Sequence, residues 1–273
     1  MSRSYHLHLV SDSTGETVGV VARAALVQFE DVEVIEHLWS MVRTERQLER
    51  VLSAIEAESG IVMFTLLSPV LRARLRAACD KLDVPCIAVL DPIIGSLAMH
   101  FGMQGSGRPG GQHAMDGEYF RRIEAMNFVL THDDGQATRD LNDADIVLVG
   151  VSRTSKTPTC IYLANRGIKA ANVPIVPGCP TPDELLNATK PLIVGLTNDP
   201  QRLVHVRRNR LRMLEENAET EYVDLAAVRT EVDQARRLFE ERGWPVIDVT
   251  RRSIEETAAA VLQLYNERRQ RLE

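Results

Sequence analysis

The sequence contains no long hydrophobic run, and nowhere does it approach the roughly 20 consecutive apolar residues that a membrane-spanning helix needs. Its first residues lead directly into an alternating, strand-like pattern rather than the apolar core of a signal peptide. Cysteine is also scarce: the 4 cysteines match neither a CxxC spacing nor a disulfide-dense framework. We therefore expect a cytoplasmic protein with reduced thiols and no membrane partner.

An excess of positive charge is absent as well. The chain has 32 Lys and Arg against 38 Asp and Glu, which gives a net charge of −6. Because nucleic-acid binding relies on a basic surface that neutralises phosphates, the overall charge argues against a nucleic-acid partner. With 44% hydrophobic and 26% charged residues over 273 positions, the composition is typical of a globular protein with one large or two modest domains.

Short apolar runs alternate with helical patterns along the chain, which is typical of parallel sheets covered by helices. The first half predicts a Rossmann-like or flavodoxin-like parallel α/β domain over residues 1–101. Its strands are predicted at 5–10, 32–37, 61–66 and 84–89. The second half, residues 116–273, predicts another α/β domain of the P-loop kinase type. Its strands are predicted at 127–131, 145–149, 173–176, 192–196 and 246–249.

Between the two halves, residues 102–115 include five glycines and a proline, a composition that breaks helices and central strands. Two interpretations stay open for this segment, and they are compatible with each other. One is an inter-domain linker. The other is a mobile loop over a site, in which Arg108 and His113 would face a ligand.

The most informative stretch matches the strand–GxxxxGK(S/T)–helix pattern of a P-loop, except that Ser155 stands where the second glycine usually does. Such a loop wraps backbone N–H groups around phosphates at the positive end of a helix. Lys156 would add a charge for the phosphates, and the Thr157 hydroxyl would bind Mg²⁺. The alternative is a hydroxyl-rich helix cap with an incidental lysine. The predicted nucleotide-binding residues are Gly150, Val151, Ser152, Arg153, Thr154, Ser155, Lys156 and Thr157.

Acidic and basic side chains elsewhere are candidate partners of this loop. Asp133 and Asp134 follow the predicted strand 127–131, which would place them at the carboxyl edge of the sheet, where ligands bind. There they could hold Mg²⁺, as we predict for Asp133, or accept a hydroxyl proton, unless Asp-Asp-Gly is only a turn. Arg207 and Arg210 share one face of a predicted helix and would grip a phosphate or an acidic partner, unless that face is simply solvated.

Residues 11–17, Ser-Asp-Ser-Thr-Gly-Glu-Thr, form a second strand–loop–helix junction, but this one lacks a lysine. It is either a capping arrangement or a second anion or partner site. The seven histidines are scattered, and no Cys/His cluster has the spacing of a zinc site.

Four segments carry a family resemblance: residues 11–17, His-Asp-Asp-Gly from His132, Gly-Val-Ser-Arg-Thr-Ser-Lys-Thr-Pro from Gly150, and Ala-Asn-Val-Pro from Ala171. They resemble the pyruvate, phosphate dikinase regulatory proteins of bacteria and plants, over nearly the whole chain. A related branch regulates phosphoenolpyruvate synthase and tends to have Cys at the position of Thr154, so this residue favours the dikinase.

The resemblance implies a bifunctional, homodimeric enzyme that binds ADP through residues 150–157. It implies an ADP-dependent serine/threonine kinase that phosphorylates and inactivates a threonine of the dikinase. It also implies a phosphorylase that removes this phosphate with inorganic phosphate and releases pyrophosphate. The residues alone indicate phosphoryl transfer, but neither ADP as donor nor a protein acceptor. A small-molecule kinase or NTPase and a non-enzymatic ADP sensor therefore stay open.

Overall fold

The computed structural model describes residues 4–111, 117–213 and 220–272, so the prediction for His113 lies outside the described residues. The chain forms two compact units, Met1–Ala114 and Met115–Glu273. Each contains one parallel four-stranded sheet, which confirms the predicted α/β class in both halves. Within the described part of the chain, no helix is both long and apolar enough to cross a membrane.

Unit 1 alternates strands and helices in chain order. In its sheet the first strand of the unit lies between the second and the third, and the fourth lies beside the third. Thr44 and Gln47 form a capping box that begins the second helix, and Ser68 caps the third helix just before a proline. Helices cover both faces of the sheet, with Val10 and Phe64 in one core cluster and Leu9 in the other. The elements are β1 (Ser4–Ser11), α1 (Glu16–Leu26), β2 (Glu33–Trp39), α2 (Glu45–Ala57), β3 (Gly60–Thr65), α3 (Pro69–Lys81), β4 (Cys86–Ala88) and α4 (Asp91–Phe101).

The strands of unit 2 follow one another across the sheet in the same order, and all are again parallel. The first strand of this unit is buried on both faces, since Ile146 and Leu148 pack into one core cluster and Val147 and Val149 into the other. The elements are α5 (Gly117–Thr131), β5 (Ile146–Gly150), α6 (Lys156–Ala164), β6 (Ala170–Pro174), α7 (Asp183–Leu186), β7 (Leu192–Thr197), α8 (Pro200–Met213), α9 (Leu225–Glu241), β8 (Val246–Asp248) and α10 (Ile254–Leu272).

The predicted strand at 127–131 is wrong, because α5 continues through these residues to Thr131. Ala125 and Val129, four residues apart, are the buried positions of this helix, and the Thr131 hydroxyl donates to the backbone oxygens of Asn127 and Phe128. Burial at helical spacing therefore outweighs the β propensity of this short run. Strand β6 also lies earlier than predicted, at Ala170–Pro174 rather than 173–176.

Candidate functional site

The loop between β5 and α6 begins at Gly150, at the carboxyl edge of the unit 2 sheet. A Cβ atom added to Gly150 would lie 2.5 Å from the backbone oxygen of Leu196 on the neighbouring strand β7 and 3.0 Å from the Thr154 hydroxyl oxygen. Only glycine fits so close an approach, because a backbone oxygen cannot move aside as a flexible side chain can. Packing against β7 therefore requires glycine at position 150, where the predicted phosphate-binding loop begins.

Two residues of this loop other than glycine have left-handed backbone conformations: Arg153 with φ 69° and Ser155 with φ 61°. Ser155 stands where the usual pattern has its second glycine, and it adopts the conformation that glycine reaches most readily. The Ser155 carbonyl then accepts hydrogen bonds from both the backbone N–H and the hydroxyl of Thr159, which start α6. Ser155 thus serves as the N-terminal cap residue of α6.

Lys156, the first residue of α6, is buried beneath the loop. Its ammonium group donates to the backbone oxygens of Gly150 and Val151, at 2.9 and 3.0 Å. Burial lowers the pKa of Lys156 to about 8, while the carboxylates of Asp134 and Asp133 oppose that shift. At neutral pH the side chain is therefore a cation in a weakly solvated position, which an anionic phosphate would stabilise.

A cluster of polar side chains surrounds the next residue, Thr157. The Thr157 hydroxyl donates to Asp133 Oδ1 at 2.8 Å. Asn172, on strand β6, points its amide nitrogen at Asp133 Oδ1 (2.7 Å), Thr157 Oγ1 (2.9 Å) and Asp134 Oδ1 (3.0 Å). The structure thus brings both predicted aspartates to the end of the loop.

The aspartates reach this position through a turn that follows α5 rather than through a strand. The Asn172 backbone N–H donates to the His132 oxygen at 3.0 Å, and the Gly135 N–H donates to the Asn172 oxygen at 2.9 Å. Asp134 and Gly135 both have positive φ angles, which turn the chain there. The segment is therefore attached to β6 at the carboxyl edge of the sheet, although its predicted strand does not exist.

Asn172 is a site residue that the analysis of the sequence did not single out. It is 1% exposed, and within the described residues its Oδ1 atom has no hydrogen-bond partner. Two signals were available: it lies in the Ala-Asn-Val-Pro segment of the family resemblance, and it is an asparagine within an otherwise apolar strand. A buried amide in a strand usually bonds to something specific, and here that is the carboxylate pair.

A cavity of about 510 Å³ opens in front of these side chains. Its lining includes Ser155, Lys156, Thr157, Asp134 and Asn172. A second cavity, of about 640 Å³, is lined by Tyr222 and other residues of α9 and its preceding turn, and it shares Ser152, Pro174 and Val176 with the first. Both volumes are in the range of sites for small ligands.

Arg207 and Arg210, which were predicted to share one face of a helix, differ in their exposure. Arg207 is buried and forms a two-pronged ion pair with Glu231 of α9, at 2.8 and 2.9 Å. It also donates to the backbone oxygen of Ser152 in the loop at 3.2 Å and lies over the ring of Tyr222. Arg210 is exposed, as is Arg108 in unit 1. Because the charge of Arg207 is already paired with Glu231, this residue stabilises the loop through its hydrogen bond to Ser152.

The side chains present fit the groups predicted to bind here. Thr157 and Asp133 present hydroxyl and carboxylate oxygens 2.8 Å apart, and oxygen ligands are those that Mg²⁺ prefers. The Lys156 ammonium would supply positive charge to a bound polyphosphate. A strand, a glycine-led loop and a helix that begins with a buried lysine lie beside two carboxylates, an arrangement suited to binding a phosphate and a metal ion.

The chain belongs to the kinase/pyrophosphorylase family, whose model matches residues 7–262. It is 55% identical to a protein of Caulobacter vibrioides over 98% of this chain and 85% of that protein. It is 56% identical to one of Paramagnetospirillum magneticum (96% of this chain, 85% of that protein) and 54% identical to one of Rhizorhabdus wittichii (96% of each). All three relatives carry the provisional name pyruvate, phosphate dikinase regulatory protein.

Proposed function

We propose that this chain is a cytoplasmic bifunctional regulator of pyruvate, phosphate dikinase. In one direction it acts as an ADP-dependent serine/threonine kinase that phosphorylates a threonine of the dikinase and inactivates it. In the other it removes that phosphate by phosphorolysis and restores activity. The family description and the names of the relatives support this proposal. The observation that carries it is the placement of Lys156, Thr157 and the two aspartates at the end of one strand–loop–helix junction.

In the kinase direction, the threonine oxygen forms a bond to the β-phosphorus of ADP, and the bond from that phosphorus to the bridging oxygen breaks. AMP leaves with the bridging oxygen, and the hydroxyl proton passes to the carboxylate of Asp133 or Asp134. Asp133 is bonded to Thr157 and Asn172, so its orientation is fixed before the acceptor arrives.

In the phosphorylase direction, an oxygen of inorganic phosphate bonds to the phosphorus of phosphothreonine. Pyrophosphate is released, and the threonine oxygen regains a proton. The carboxyl group that accepted a proton in the first reaction is suited to supply one in the second. One site with one acid/base pair therefore serves both directions.

The remaining side chains bind and orient. The Lys156 cation balances charge on the phosphates, and the amide of Asn172 holds the aspartates and Thr157 in register. Thr157 and Asp133 would hold Mg²⁺, which when bound neutralises phosphate charge. Arg108, Arg210 and the glycine-rich segment 102–115 are proposed to contact the docked dikinase, and the active form is proposed to be a homodimer.

The direct test incubates the protein with purified dikinase and ADP labelled at the β-phosphate. The proposal expects label on a threonine of the dikinase, together with AMP, and release of pyrophosphate when unlabelled phosphate is then added without ADP. Transfer to phosphoenolpyruvate synthase instead would reassign the target. Turnover of ATP without a protein acceptor would favour a small-molecule kinase or NTPase, and ADP binding without transfer would favour a sensor.

A further inference from the structure

Three side chains that are distant in the sequence meet in unit 1: His6 of β1, His37 of β2 and Glu58, which follows the last residue of α2. Their ligand atoms all lie within 4.8 Å of one another. His6 Nδ1 is 2.9 Å from His37 Nε2, which in turn is 3.5 Å from a carboxylate oxygen of Glu58. Within residues 4–111, 117–213 and 220–272, no other three His, Cys, Asp or Glu side chains lie close enough together to share a metal ion.

The register of the sheet brings the two histidines together. In the parallel pair β1–β2, His8 lies opposite His37 and His6 lies opposite Ile35. Because alternate side chains of a strand point to the same face, His6, His8 and His37 share one face of the two strands. The rings of His6 and His37 stack with centroids 5.2 Å apart.

Buried His8 holds the group in place without being one of its three members. Its Nε2–H donates to the backbone oxygen of Glu58 at 2.8 Å, and its Nδ1 accepts from the indole N–H of Trp39 at 3.3 Å. A neutral imidazole ring uses one nitrogen as donor and the other as acceptor in this way. The same ring stacks on His37, with centroids 4.6 Å apart. His8 thus positions both the backbone that carries Glu58 and the ring of His37.

We propose that His6, His37 and Glu58 bind one Zn²⁺ ion per chain, with water in the fourth position. Two imidazole nitrogens and a carboxylate oxygen are an established zinc ligand set, whereas Mg²⁺ prefers oxygen ligands alone. Two nitrogens bound to a tetrahedral Zn²⁺ lie about 3.3 Å apart. The observed 2.9 Å therefore needs only a small opening. The side chains of His37 and Glu58 are 20% and 51% exposed, which gives the ion access from solvent.

This proposal is independent of the proposed phosphoryl transfer. The ion would join β1, the edge strand β2 and the end of α2, so it would stabilise unit 1 by an amount that rises with the logarithm of the free Zn²⁺ concentration above Kd. Its three ligands lie at positions 6, 37 and 58, a spacing that no short zinc motif describes.

The test titrates the full chain, freed of metal by a chelator and kept reduced, with Zn²⁺ and separately with Co²⁺. We expect one equivalent to bind, with a Co²⁺ spectrum of tetrahedral nitrogen and oxygen ligands, and excess Mg²⁺ not to displace it. Glu58→Gln and His37→Gln should each weaken binding at least tenfold, and the double variant His6→Gln/His37→Gln should abolish it. His100→Gln, at an exposed histidine of α4, is the matched control and should bind as the wild type does.

Glu58 has a half-exposed side chain, so Glu58→Gln should fold even if the histidine variants do not, and circular dichroism will verify this. Zn²⁺ should raise the melting temperature of the wild type but much less that of Glu58→Gln. The proposal is overturned if the wild type binds no stoichiometric Zn²⁺, if Glu58→Gln binds it with unchanged affinity, or if the Co²⁺ spectrum shows thiolate ligands.

Discussion

The two units have the same parallel strand order, yet the loops that follow their first strands differ in what they contact. In unit 1, the loop after β1 is hydrogen-bonded to two other loops of the same unit. Asp12 accepts a hydrogen bond from the Leu67 backbone N–H at 2.7 Å, and the Arg43 side chain donates to the Asp12 backbone oxygen at 2.7 Å. In unit 2, the loop after β5 borders an open cavity of about 510 Å³.

The difference lies in which charge each loop holds and what that charge contacts. The buried carboxylate of Asp12 holds the backbone of a neighbouring loop, so its hydrogen-bonding capacity serves the fold. The buried ammonium of Lys156 donates to the backbone oxygens of Gly150 and Val151, at the start of its own loop. A shared topology therefore supplies two similar sheet edges, and individual side chains determine the contacts that each edge makes.

The largest effect is expected from Lys156→Met, which removes the cation but keeps a long apolar stem for the buried position. Both reactions should fall by about 10²–10³-fold, the typical loss when one charge-stabilising group is removed. Steady-state rates with dikinase as acceptor measure this. Lys169→Met, at a partly exposed lysine of the same unit paired with Glu124, should stay within twofold of the wild type. Equal ADP affinity in wild type and a folded Lys156→Met protein would contradict the assignment of the loop.

The next effect concerns the acid/base pair. Asp133→Asn combined with Asp134→Asn should lower the kinase and phosphorylase rates together, by about 10²-fold or more, because both directions need the same proton transfer. Asp143→Asn, at an exposed aspartate of unit 2, is the control. A double variant that loses kinase activity but keeps its full phosphorylase rate would show that the two reactions do not share a base.

The pH dependence of ADP binding tests the charge held by the loop of unit 2. Because burial lowers the pKa of Lys156 to about 8, ADP affinity should fall above that pH, by about tenfold per unit, with a proton taken up on binding. Lys156→Arg keeps its charge and should show no such slope. Calorimetry in buffers of different ionisation enthalpy measures the proton uptake, and a flat profile for the wild type would contradict this role of Lys156.

The same pKa fixes the sign of the effect on stability. The folded state loses the Lys156 proton near pH 8, whereas the unfolded chain keeps it to about 10.5. The unfolded state therefore binds more protons between these values, and the unliganded protein should become more stable as the pH rises through them. Denaturant titrations of wild type and Lys156→Met over that range isolate the contribution.

In unit 1, Asp12→Ala should change stability rather than chemistry. It leaves the Leu67 N–H without its acceptor, so the free energy of unfolding should fall by about 1–3 kcal/mol while phosphoryl transfer stays within twofold. Glu56→Ala, on the exposed side of α2, should cost less than about 0.5 kcal/mol. A stable Asp12→Ala protein without transfer activity would instead make the loop of unit 1 a functional site.

The smallest effect is expected at Ser155. Ser155→Gly removes a side chain from a left-handed residue and should raise stability by about 1 kcal/mol at most, with ADP affinity within twofold of the wild type. Ser53→Gly, within helix α2, should lower stability by about the same amount. A loss of ADP affinity in Ser155→Gly would show that the hydroxyl itself contacts the nucleotide.

Features encoded by contiguous residues could be predicted from the sequence. The loop 150–157 is one of them, since its strand, glycine, lysine and helix follow one another along the chain. The capped start of α3 at Ser68 and Pro69 is another. The strand expected at 127–131 failed because its residues have high β propensity, while the choice of helix depended on how Ala125 and Val129 pack against the rest of unit 2.

Contacts between residues distant in the sequence could not be predicted. Arg207 looks like one arginine among several, and only Glu231, 24 residues further on, explains why it is buried. Asn172 becomes a site residue through two segments that reach it from α5 and α6. The meeting of His6, His37 and Glu58 requires the register of β1 against β2, which no local spacing reveals.

The ion pair of Arg207 with Glu231 has a practical consequence for protein engineering. Replacing Arg207 would leave a buried carboxylate uncompensated, at a cost of about 3–5 kcal/mol, and would release the Ser152 carbonyl. A graft of residues 150–157 onto another scaffold would lack this support. A transplant that keeps these contacts includes Arg207, Tyr222 and Glu231, so it is discontinuous and takes in the loop, α8, the turn before α9 and α9 itself.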